Sequence, residues 1–240
     1  MSAPILKFVG VSRVYHSGDE DVRALDEVSF HVDAGELVAV MGPSGSGKST
    51  LLALAGGLDV PTSGSITVGG TEVTTLAPTS LAQLRRDRIG YVFQDFNLIS
   101  ELTAAENVAL PRELAGVRPR AARREAIAAL AEVGVDHLAH RFPEQMSGGQ
   151  QQRIAIARAL VGERHLVLAD EPTGALDSQT GEAVMEVLRA RVDAGAAGVL
   201  VTHEPRYAGW ADRTIFLRDG RVVEGTTSPV PLEQLLRGHS

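Results

Sequence analysis

The chain has 240 residues, with 30 Asp and Glu against 23 Lys and Arg, and its formal net charge of -7 argues against a whole-surface electrostatic grip on nucleic acid or anionic lipid. Its 44% hydrophobic and 22% charged residues are typical of a soluble globular protein and exclude a mostly disordered chain. Because the chain has no cysteine, disulfides, thiolate catalysis and zinc sites that need sulfur are excluded.

Targeting and membrane-spanning patterns are not found in the sequence. Met1–Gly10 has no basic region followed by an apolar stretch, so no secretory signal is predicted there. Gly, Pro or a charged residue interrupts every apolar run well short of the roughly 18 residues that a membrane span requires. We therefore expect the protein to stay where it is made, and any membrane role to be peripheral.

Two early segments have the alternating pattern of half-exposed strands. Val28, Phe30 and Val32 alternate with polar residues, and so do Ile66 and Val68. A period of two indicates a strand with one face toward water. We predict that these segments form an antiparallel β flap.

Three further runs are continuously apolar, namely Leu37–Met41, Leu166–Ala169 and Val199–Thr202. Continuous runs are typical of strands buried on both faces, which indicates a parallel sheet flanked by helices. Near the end, two apolar segments flank Asp219-Gly220, a dipeptide that favours a tight hairpin turn. The sequence therefore predicts an α/β fold with a terminal hairpin.

Between Asp95 and Arg164 the sequence changes to Ala, Arg, Glu and Leu at helical spacing. Thr103 with Glu106 three residues later predicts a capping box at the start of a first helix. Pro119 predicts the start of a second helix, which runs through Arg123–Val133. We interpret this segment as an all-helical insertion.

The segment Gly42–Ser49 fits the pattern G-x-x-x-x-G-K-[ST] and lies between the strand Leu37–Met41 and a helix predicted at Leu51–Leu58. Its glycines let backbone N–H groups surround phosphate oxygens, Lys48 supplies a positive charge, and the Ser49 hydroxyl is a ligand for Mg²⁺. The alternative is an ordinary glycine-rich turn, which the strand before and the helix after disfavour. The predicted nucleotide-binding residues of this segment are Gly42, Pro43, Ser44, Gly45, Ser46, Gly47, Lys48, Ser49 and Thr50.

Two carboxylates, Asp170 and Glu171, end the second continuously apolar strand. Parallel sheets bind ligands outside the carboxyl ends of their strands, so Asp170 is placed to hold Mg²⁺. Glu171 is placed to orient or deprotonate an attacking water. The alternative is a strand that ends in a solvated acidic turn.

A second glycine-rich helix start follows Met146. Ser147 and Gln150 form a capping box, which is the simplest interpretation of the segment. That interpretation leaves Gly148 and Gly149 unexplained, because glycine is disfavoured in a helix unless a phosphate must approach its bare N–H groups. We predict a second anion site that serves a nucleotide held by another subunit.

These motifs together resemble the nucleotide-binding subunits of ATP-binding cassette (ABC) transporters, over essentially the whole chain. The resemblance is carried, in the family's order, by Gly42–Ser49, Gln94, Ser147–Gln150, Asp170-Glu171, Gly174–Asp177 and His203. It implies a P-loop NTPase (RecA-like) core with a parallel sheet, an antiparallel β flap and an all-helical insertion. A single ABC ATPase domain would then span 1–240, with its nucleotide-binding core at 1–94 and 165–240 and a helical subdomain carrying the signature motif at 95–164.

The resemblance also implies roles for single residues. Tyr15 should stack on the adenine, Gln94 should sense Mg²⁺ and the attacking water, and His203 should contact the γ-phosphate. Asp177 should lie across a dimer interface. Tyr15 has surface packing as its alternative, and His203 has the role of an uninvolved histidine. The expected catalytic residues are Lys48, Gln94, Glu171 and His203, and the expected metal ligands are Ser49, Gln94 and Asp170.

The cofactors implied are ATP and Mg²⁺, and the partners are a second copy of the chain in the ATP-bound state and a separate transmembrane permease. No nucleic-acid partner is expected. Such a subunit is cytoplasmic and peripheral on the inner face of the membrane. Finer similarity, for example at Phe93–Leu98 and Glu106–Pro111, points to the macrolide-export and lipoprotein-release branch. Met146 and Glu204 depart from that branch, where leucine and aspartate are usual.

Other functions fit the sequence less well, and a P-loop kinase would leave the second glycine-rich helix start unexplained. A soluble ABC ATPase that acts on DNA or ribosomes usually has long coiled coils or two cassettes, and this chain has neither. A binding module in which ATP only switches conformation has no need of Glu171.

Finally, the apolar segment Asp95–Leu102, with Phe96 and Leu98, is predicted to receive a permease helix, although packing into the insertion's own core is the alternative.

Overall fold

A computed structural model describes residues 3–17 and 20–226. Its strands are β1 (Leu6–Ser17), β2 (Glu20–Val32), β3 (Leu37–Met41), β4 (Ser63–Val68), β5 (Thr71–Glu72), β6 (Ile89–Val92), β7 (Leu166–Asp170), β8 (Ala197–Val201), β9 (Arg213–Arg218) and β10 (Arg221–Thr226). Its α-helices are α1 (Lys48–Ala55), α2 (Pro78–Arg88), α3 (Ala104–Leu114), α4 (Pro119–Glu132), α5 (Gly148–Leu160), α6 (Ser178–Asp193) and α7 (Pro205–Ala208).

The predicted flap is a four-stranded antiparallel sheet with the order β2-β1-β4-β5. The alternating residues Val28 and Val32 of β2 and Ile66 of β4 are each at most 1% exposed, so the period of two marked the buried face correctly. Strand β1 pairs with both β2 and β4 and was not predicted. Its pairing shifts register between Phe8 and Val11, which breaks the alternation that would have revealed it.

The second sheet has six strands in the order β10-β9-β3-β8-β7-β6. Neighbours from β9 to β6 run parallel, and β10 closes one edge as the antiparallel arm of the predicted hairpin. The strand expected at Val199–Thr202 instead spans Ala197–Val201. The sequence did not reveal the start of this strand, because Gly198 interrupts the apolar run. Glycine suits the position, since a Cβ on Gly198 would lie 2.6 Å from the Leu37 side chain.

Side chains that alternate along the buried strands divide the interior in two. Val38 and Val40 of β3 pack with α1 and the antiparallel sheet. Ala39 and Met41 of the same strand face the opposite way, toward α6 and the helices of the insertion. The first helix of this core also begins earlier than predicted, since α1 spans Lys48–Ala55 rather than Leu51–Leu58.

The segment between β6 and β7 contains α3, α4 and α5, together with the short 3-10 turns Asp136–Leu138 and Pro143–Gln145. The capping box of α3 is confirmed, because the Thr103 N–H donates to Glu106 Oε2 at 2.8 Å and Thr103 Oγ1 accepts from the Glu106 N–H. Pro119 begins α4 as predicted. Within the described residues, none of the helices has the length and apolarity of a membrane span.

Candidate active site

A cavity of about 730 Å³ opens where the parallel strands end. Its walls are the segments that follow β3, β6, β7 and β8, with part of β2 at one side and Gln152 of α5. Because these strands are parallel, their carboxyl ends meet at one edge of the sheet. The sequence therefore brings four separate motifs to the same place.

The phosphate loop wraps the start of α1. Gly47, the N-cap, has a φ of 102°, and a Cβ on it would lie 2.2 Å from the Ala24 carbonyl oxygen. A glycine cap has no side chain to accept from the first N–H groups of the helix, and α1 has no side-chain cap bond. These donors therefore face the cavity ready for an anion.

Lys48 begins α1, and its Nζ donates to the carbonyl oxygens of Gly42 and Pro43 at 2.8 Å each. A lysine folded onto its own loop places its terminal nitrogen beside the uncapped helix start. Of the residues predicted in this segment, Pro43 and Ser46 are outside the cavity lining, and Ser46 is buried instead. Those that line the cavity are Gly42, Ser44, Gly45, Gly47, Lys48, Ser49 and Thr50.

Asp170 ends β7 at the floor of the cavity and is 7% exposed. Burial raises the pKa of its carboxyl group, and a hydrogen bond from Ser49 opposes that shift. Removal from water raises a carboxyl pKa because it disfavours the charged form. A divalent cation held by Ser49 and Asp170 would favour that charged form.

Glu171 adopts a φ of 47°, which is uncommon for a residue other than glycine. Its Oε1 lies 2.8 Å from His203 Nδ1, and its N–H donates to the Val201 carbonyl at 3.0 Å. Its Oε2 is buried and, in the part of the chain that the structure describes, has no hydrogen-bond partner. Glu171 nevertheless lines the cavity, which places its carboxylate where an attacking water would be bound.

Gln94 and His203 complete the set, because both line the same cavity as Lys48, Ser49, Asp170 and Glu171. Among residues 3–17 and 20–226, no cluster of three His, Asp or Glu side chains could hold a metal by itself. The predicted Mg²⁺ ligands are one hydroxyl, one amide and one carboxylate. Such a site fits Mg²⁺, which is often bound by few protein groups plus substrate phosphates and water.

Tyr15 does not line the cavity. It lies on β1, 37% exposed, with its hydroxyl donating to Asp59 at 2.8 Å. Its cross-strand partner on β2, Val22, is part of the lining. The structure thus places Tyr15 beside one end of the cavity rather than in it.

The second glycine-rich helix start, at α5, also lies outside the cavity lining. Its capping box is confirmed, because Ser147 Oγ accepts from the Gln150 N–H at 3.3 Å and Gln150 Oε1 accepts from the Ser147 N–H at 2.9 Å. Ser147 and Gly148 are exposed. No group of the chain's own cavity therefore uses this helix start.

Asp177 caps α6, where its Oδ1 accepts from the Thr180 N–H at 3.0 Å. The hydrogen bonds from Thr180 lower the pKa of this carboxyl group. The loop before Asp177 lies close to both the cavity and the start of α5. Gly174 and Ala175 line the cavity, and a Cβ on Gly149 would lie 3.3 Å from the Ala175 carbonyl oxygen.

Two residues of α5 were missed by the sequence analysis: Gln152, which is buried and lines the cavity, and Arg158, which supports the site from outside its lining. Arg158 of α5 donates from its two terminal nitrogens to the carbonyls of Phe96, at 2.8 Å, and Asn97, at 2.5 Å. Both of these residues have positive φ values, 44° and 50°. The guanidinium thus holds a strained turn directly after Gln94, and its burial lowers its pKa. A lone arginine on the apolar face of α5 was the signal available.

The segment predicted to dock a permease divides into two parts. Leu98 packs against the core cluster shared with the helices, as the alternative interpretation held. Phe96 lines the cavity, and Ile99 is 39% exposed. Only part of this apolar segment is therefore on the surface.

A family model described as "ABC transporter" matches residues 25–174. The macrolide export ATP-binding/permease protein MacB of Salmonella choleraesuis is 48% identical over 219 residues, and the MacB of Rhodospirillum rubrum is 48% identical over 230 residues. These matches cover 91% and 95% of this chain but only 34% and 35% of the relatives. The chain therefore spans about a third of the length of these curated relatives.

Among solved structures, the ATP-binding cassette MJ0796 superimposes with a TM-score of 0.89 at 42% sequence identity. The match covers 92% of this chain and 98% of that one. MJ0796 is described as a bacterial ABC transporter cassette with a dimeric structure, in one case in a post-hydrolysis state bound to ADP and Pi.

Proposed function

Because the chain belongs to the ABC transporter family, we propose that it is an ATPase subunit that binds and hydrolyses MgATP to drive transport. The observation that carries this proposal is one cavity in which an uncapped phosphate loop meets Asp170 and Glu171. The loop suits the phosphates, and the two carboxylates suit a metal ion and an attacking water. Catalysis then rests on position and electrostatics, since phosphoryl transfer needs little covalent help.

Each group has one task in this proposal. Ser49, Gln94 and Asp170 would hold Mg²⁺, whose charge would offset that of the phosphate oxygens. Lys48 and the N–H groups of α1 bind the same oxygens from the other side. The Glu171 carboxylate accepts a hydrogen bond from the attacking water, while His203, 2.8 Å from Glu171 Oε1, faces the γ-phosphate. The remaining nucleotide contacts are assigned to Tyr15, Gly148, Gly149 and Gln150.

A head-to-tail homodimer supplies the second helix start. The exposed start of α5, with Ser147, lies outside the chain's own cavity, so its phosphate must come from another copy. MJ0796, the structural relative, is described as dimeric. Asp177 would lie across the same interface. In this arrangement 95–164 moves as a unit against the core formed by 1–94 and 165–240.

The transport partner is a permease that Phe96 and Ile99 help to dock, and the subunit lies in the cytoplasm against the inner face of the membrane. The relatives' names join an ATP-binding part to a permease, and this chain matches about a third of their length. Export or lipoprotein release is the proposed transport class, and the relatives' names give macrolide export. No feature of the site favours DNA or ribosomes instead.

Hydrolysis is tested by phosphate release with purified chain, ATP and Mg²⁺. Lys48→Ala should lose nucleotide binding, whereas Glu171→Gln should keep binding and lose turnover by a factor on the order of 10² or more. The matched controls are Lys7→Ala, which changes the chain's other lysine on exposed β1, and Glu186→Gln on the exposed face of α6. Equal turnover in the parent and in Glu171→Gln would refute the role of Glu171.

Docking is tested by co-purification with a permease of the same transporter family that is expressed together with this chain. Ile99→Asp should lose association and keep basal hydrolysis, because its side chain is exposed. Leu98→Ala serves as the contrast, since it should lower the unfolding midpoint through lost core packing. Undiminished association of Ile99→Asp would contradict the assigned docking surface.

A further inference from the structure

Tyr15 is held in place by two charged side chains. Its hydroxyl donates to Asp59 Oδ2 at 2.8 Å. Arg13 lies over one face of the ring, with its guanidinium carbon 4.4 Å from the ring centroid. The same guanidinium binds Asp59 with both prongs, Nε to Oδ2 at 2.9 Å and Nη2 to Oδ1 at 2.8 Å. The ring is thereby fixed at its hydroxyl and at one face.

The Tyr15 ring lies next to a residue that lines the cavity. Val22, the cross-strand partner of Tyr15, lines the cavity, so the two side chains share one face of the sheet. Asp59 lies in the segment after α1 ends, and the phosphate loop Gly42–Ser49 leads into the start of the same helix. The contacts to Asp59 therefore set the position of the ring relative to that loop.

Arg13 and Asp59 are themselves well ordered by their surroundings, because only 24% and 23% of their side chains are exposed. Tyr15 remains 37% exposed although its hydroxyl and one face are engaged. An aromatic ring that is already fixed loses little freedom when a flat ligand stacks on it. A planar fork bound to a carboxylate is a rigid backing for such a ring.

We infer that Arg13 and Asp59 are positioning residues that hold Tyr15 as a stacking platform for the base of a nucleotide. The consequence is that they favour a nucleoside triphosphate over a polyphosphate that has no base. This inference rests on the proposed nucleotide function, and it adds how the base end of that site is built. An ion pair that only ties β1 to the segment after α1 would affect both kinds of ligand equally.

The test is calorimetric titration of the full chain with MgATP and, separately, with inorganic tripolyphosphate and Mg²⁺. Glu171→Gln is the parent, so that ATP is not consumed during the titration. Arg13→Met should raise the dissociation constant for ATP about threefold or more, the range expected for a cation–π contact and its ion pair, and leave that for tripolyphosphate unchanged. Arg13→Lys should behave like Arg13→Met, because lysine keeps the charge but lacks the planar fork.

Tyr15→Leu provides the decisive background. In that background Arg13→Met should weaken ATP binding no further, since its effect acts through the ring. Asp59→Asn, which keeps the side-chain size, should have the same effect as Arg13→Met. It replaces the arginine variants in the test if either of them unfolds early. The control is Arg120→Met on exposed α4, which should leave both dissociation constants as they were.

Three results would overturn the inference. One is equal weakening of ATP and tripolyphosphate by Arg13→Met, which would indicate a charge effect or a general structural role. Another is a further loss of ATP affinity in the Tyr15→Leu background. If the parent bound neither probe, the proposed nucleotide function would fail and this inference with it, and that result is distinct from the other two.

Discussion

The glycine-rich starts of α1 and α5 differ in whether a side chain caps their first backbone N–H groups. At α1 the N-cap is Gly47, with no side-chain bond to the helix. At α5 the N-cap is Ser147, which exchanges hydrogen bonds with Gln150 in a complete capping box. The first start lines the cavity, and the second lies outside that lining.

This difference shows what each start is built to do. An uncapped helix start leaves donors that need an anion from the chain's own site. A capped start is stable alone, and at Gly148 a Cβ would make only ordinary contacts, so this glycine serves no packing need of the single chain. We therefore assign α1 to the bound nucleotide of the same subunit and α5 to that of a second copy. The following predictions test this contrast, from the largest expected effect to the smallest.

Gly47→Ala should abolish ATP binding. A Cβ at this position would lie 2.2 Å from the Ala24 carbonyl oxygen, and the φ of 102° is strained for any other residue. The loop must shift, at a cost of about 3 kcal/mol or more. Calorimetry with ATP checks the result. Gly69→Ala is the control, because it also has positive φ but nothing within 4 Å of the added Cβ. Normal binding by Gly47→Ala would contradict the close packing of the loop.

Gly148→Ala should give the opposite combination of effects. The added Cβ would lie 3.8 Å from the Phe96 ring, an ordinary contact, and alanine is about 1 kcal/mol better than glycine within a helix. The unfolding midpoint should therefore stay the same or rise, while ATP-dependent turnover falls because a methyl group stands where the partner's phosphate approaches. Thermal unfolding and phosphate release measure the two effects. Unimpaired turnover would argue that no phosphate approaches this helix start.

Arg158→Lys should lower turnover about tenfold with little change in ATP affinity. A lysine has one donor group and cannot hold the two carbonyls of Phe96 and Asn97 in their strained conformation. The turn after Gln94 then relaxes. Arg153→Lys on the same helix is the control, since Arg153 contacts only the Val133 carbonyl, at 3.4 Å, among the bonds described. A loss of affinity without loss of turnover would contradict this role.

Asp170→Asn should raise the unfolding midpoint of the metal-free chain at pH 7. Burial raises the pKa of Asp170 above its ordinary value of 3.8. The neutral carboxyl group therefore contributes stability that is fully present below pH 3.8 and is lost as the pH rises through the raised pKa of the folded state. The gain from asparagine should therefore shrink as the pH falls toward 3.8. Thermal unfolding in EDTA at several pH values measures it. A gain that does not depend on pH would contradict this account.

The features that could be predicted from the sequence depend on local order. The Asp219-Gly220 hairpin needs two positive φ values, and the structure has 51° and 75° there. The capping boxes at Thr103 and Ser147 are set by residues three positions apart. The family and the fold class were confirmed because their motifs are local and ordered along the chain.

The features that were missed depend on contacts between distant residues. Arg158 and Asn97 are 61 positions apart, and Tyr15 and Asp59 are 44 apart. No periodicity connects such pairs, because only the folded sheet brings them together. Boundaries failed for a related reason, since Gly198 looks like an interruption in the sequence and is part of β8 in the fold.

Sedimentation of two variants tests the central claim, that α5 completes a site on a second copy, most directly. Glu171→Gln with MgATP should sediment as a dimer, and without nucleotide it should be mainly monomeric. Adding Ser147→Arg places bulk and charge at the start of α5, and the double variant should then bind ATP as a monomer. A double variant that still dimerises as Glu171→Gln does would contradict the assignment of this helix start to the partner's nucleotide.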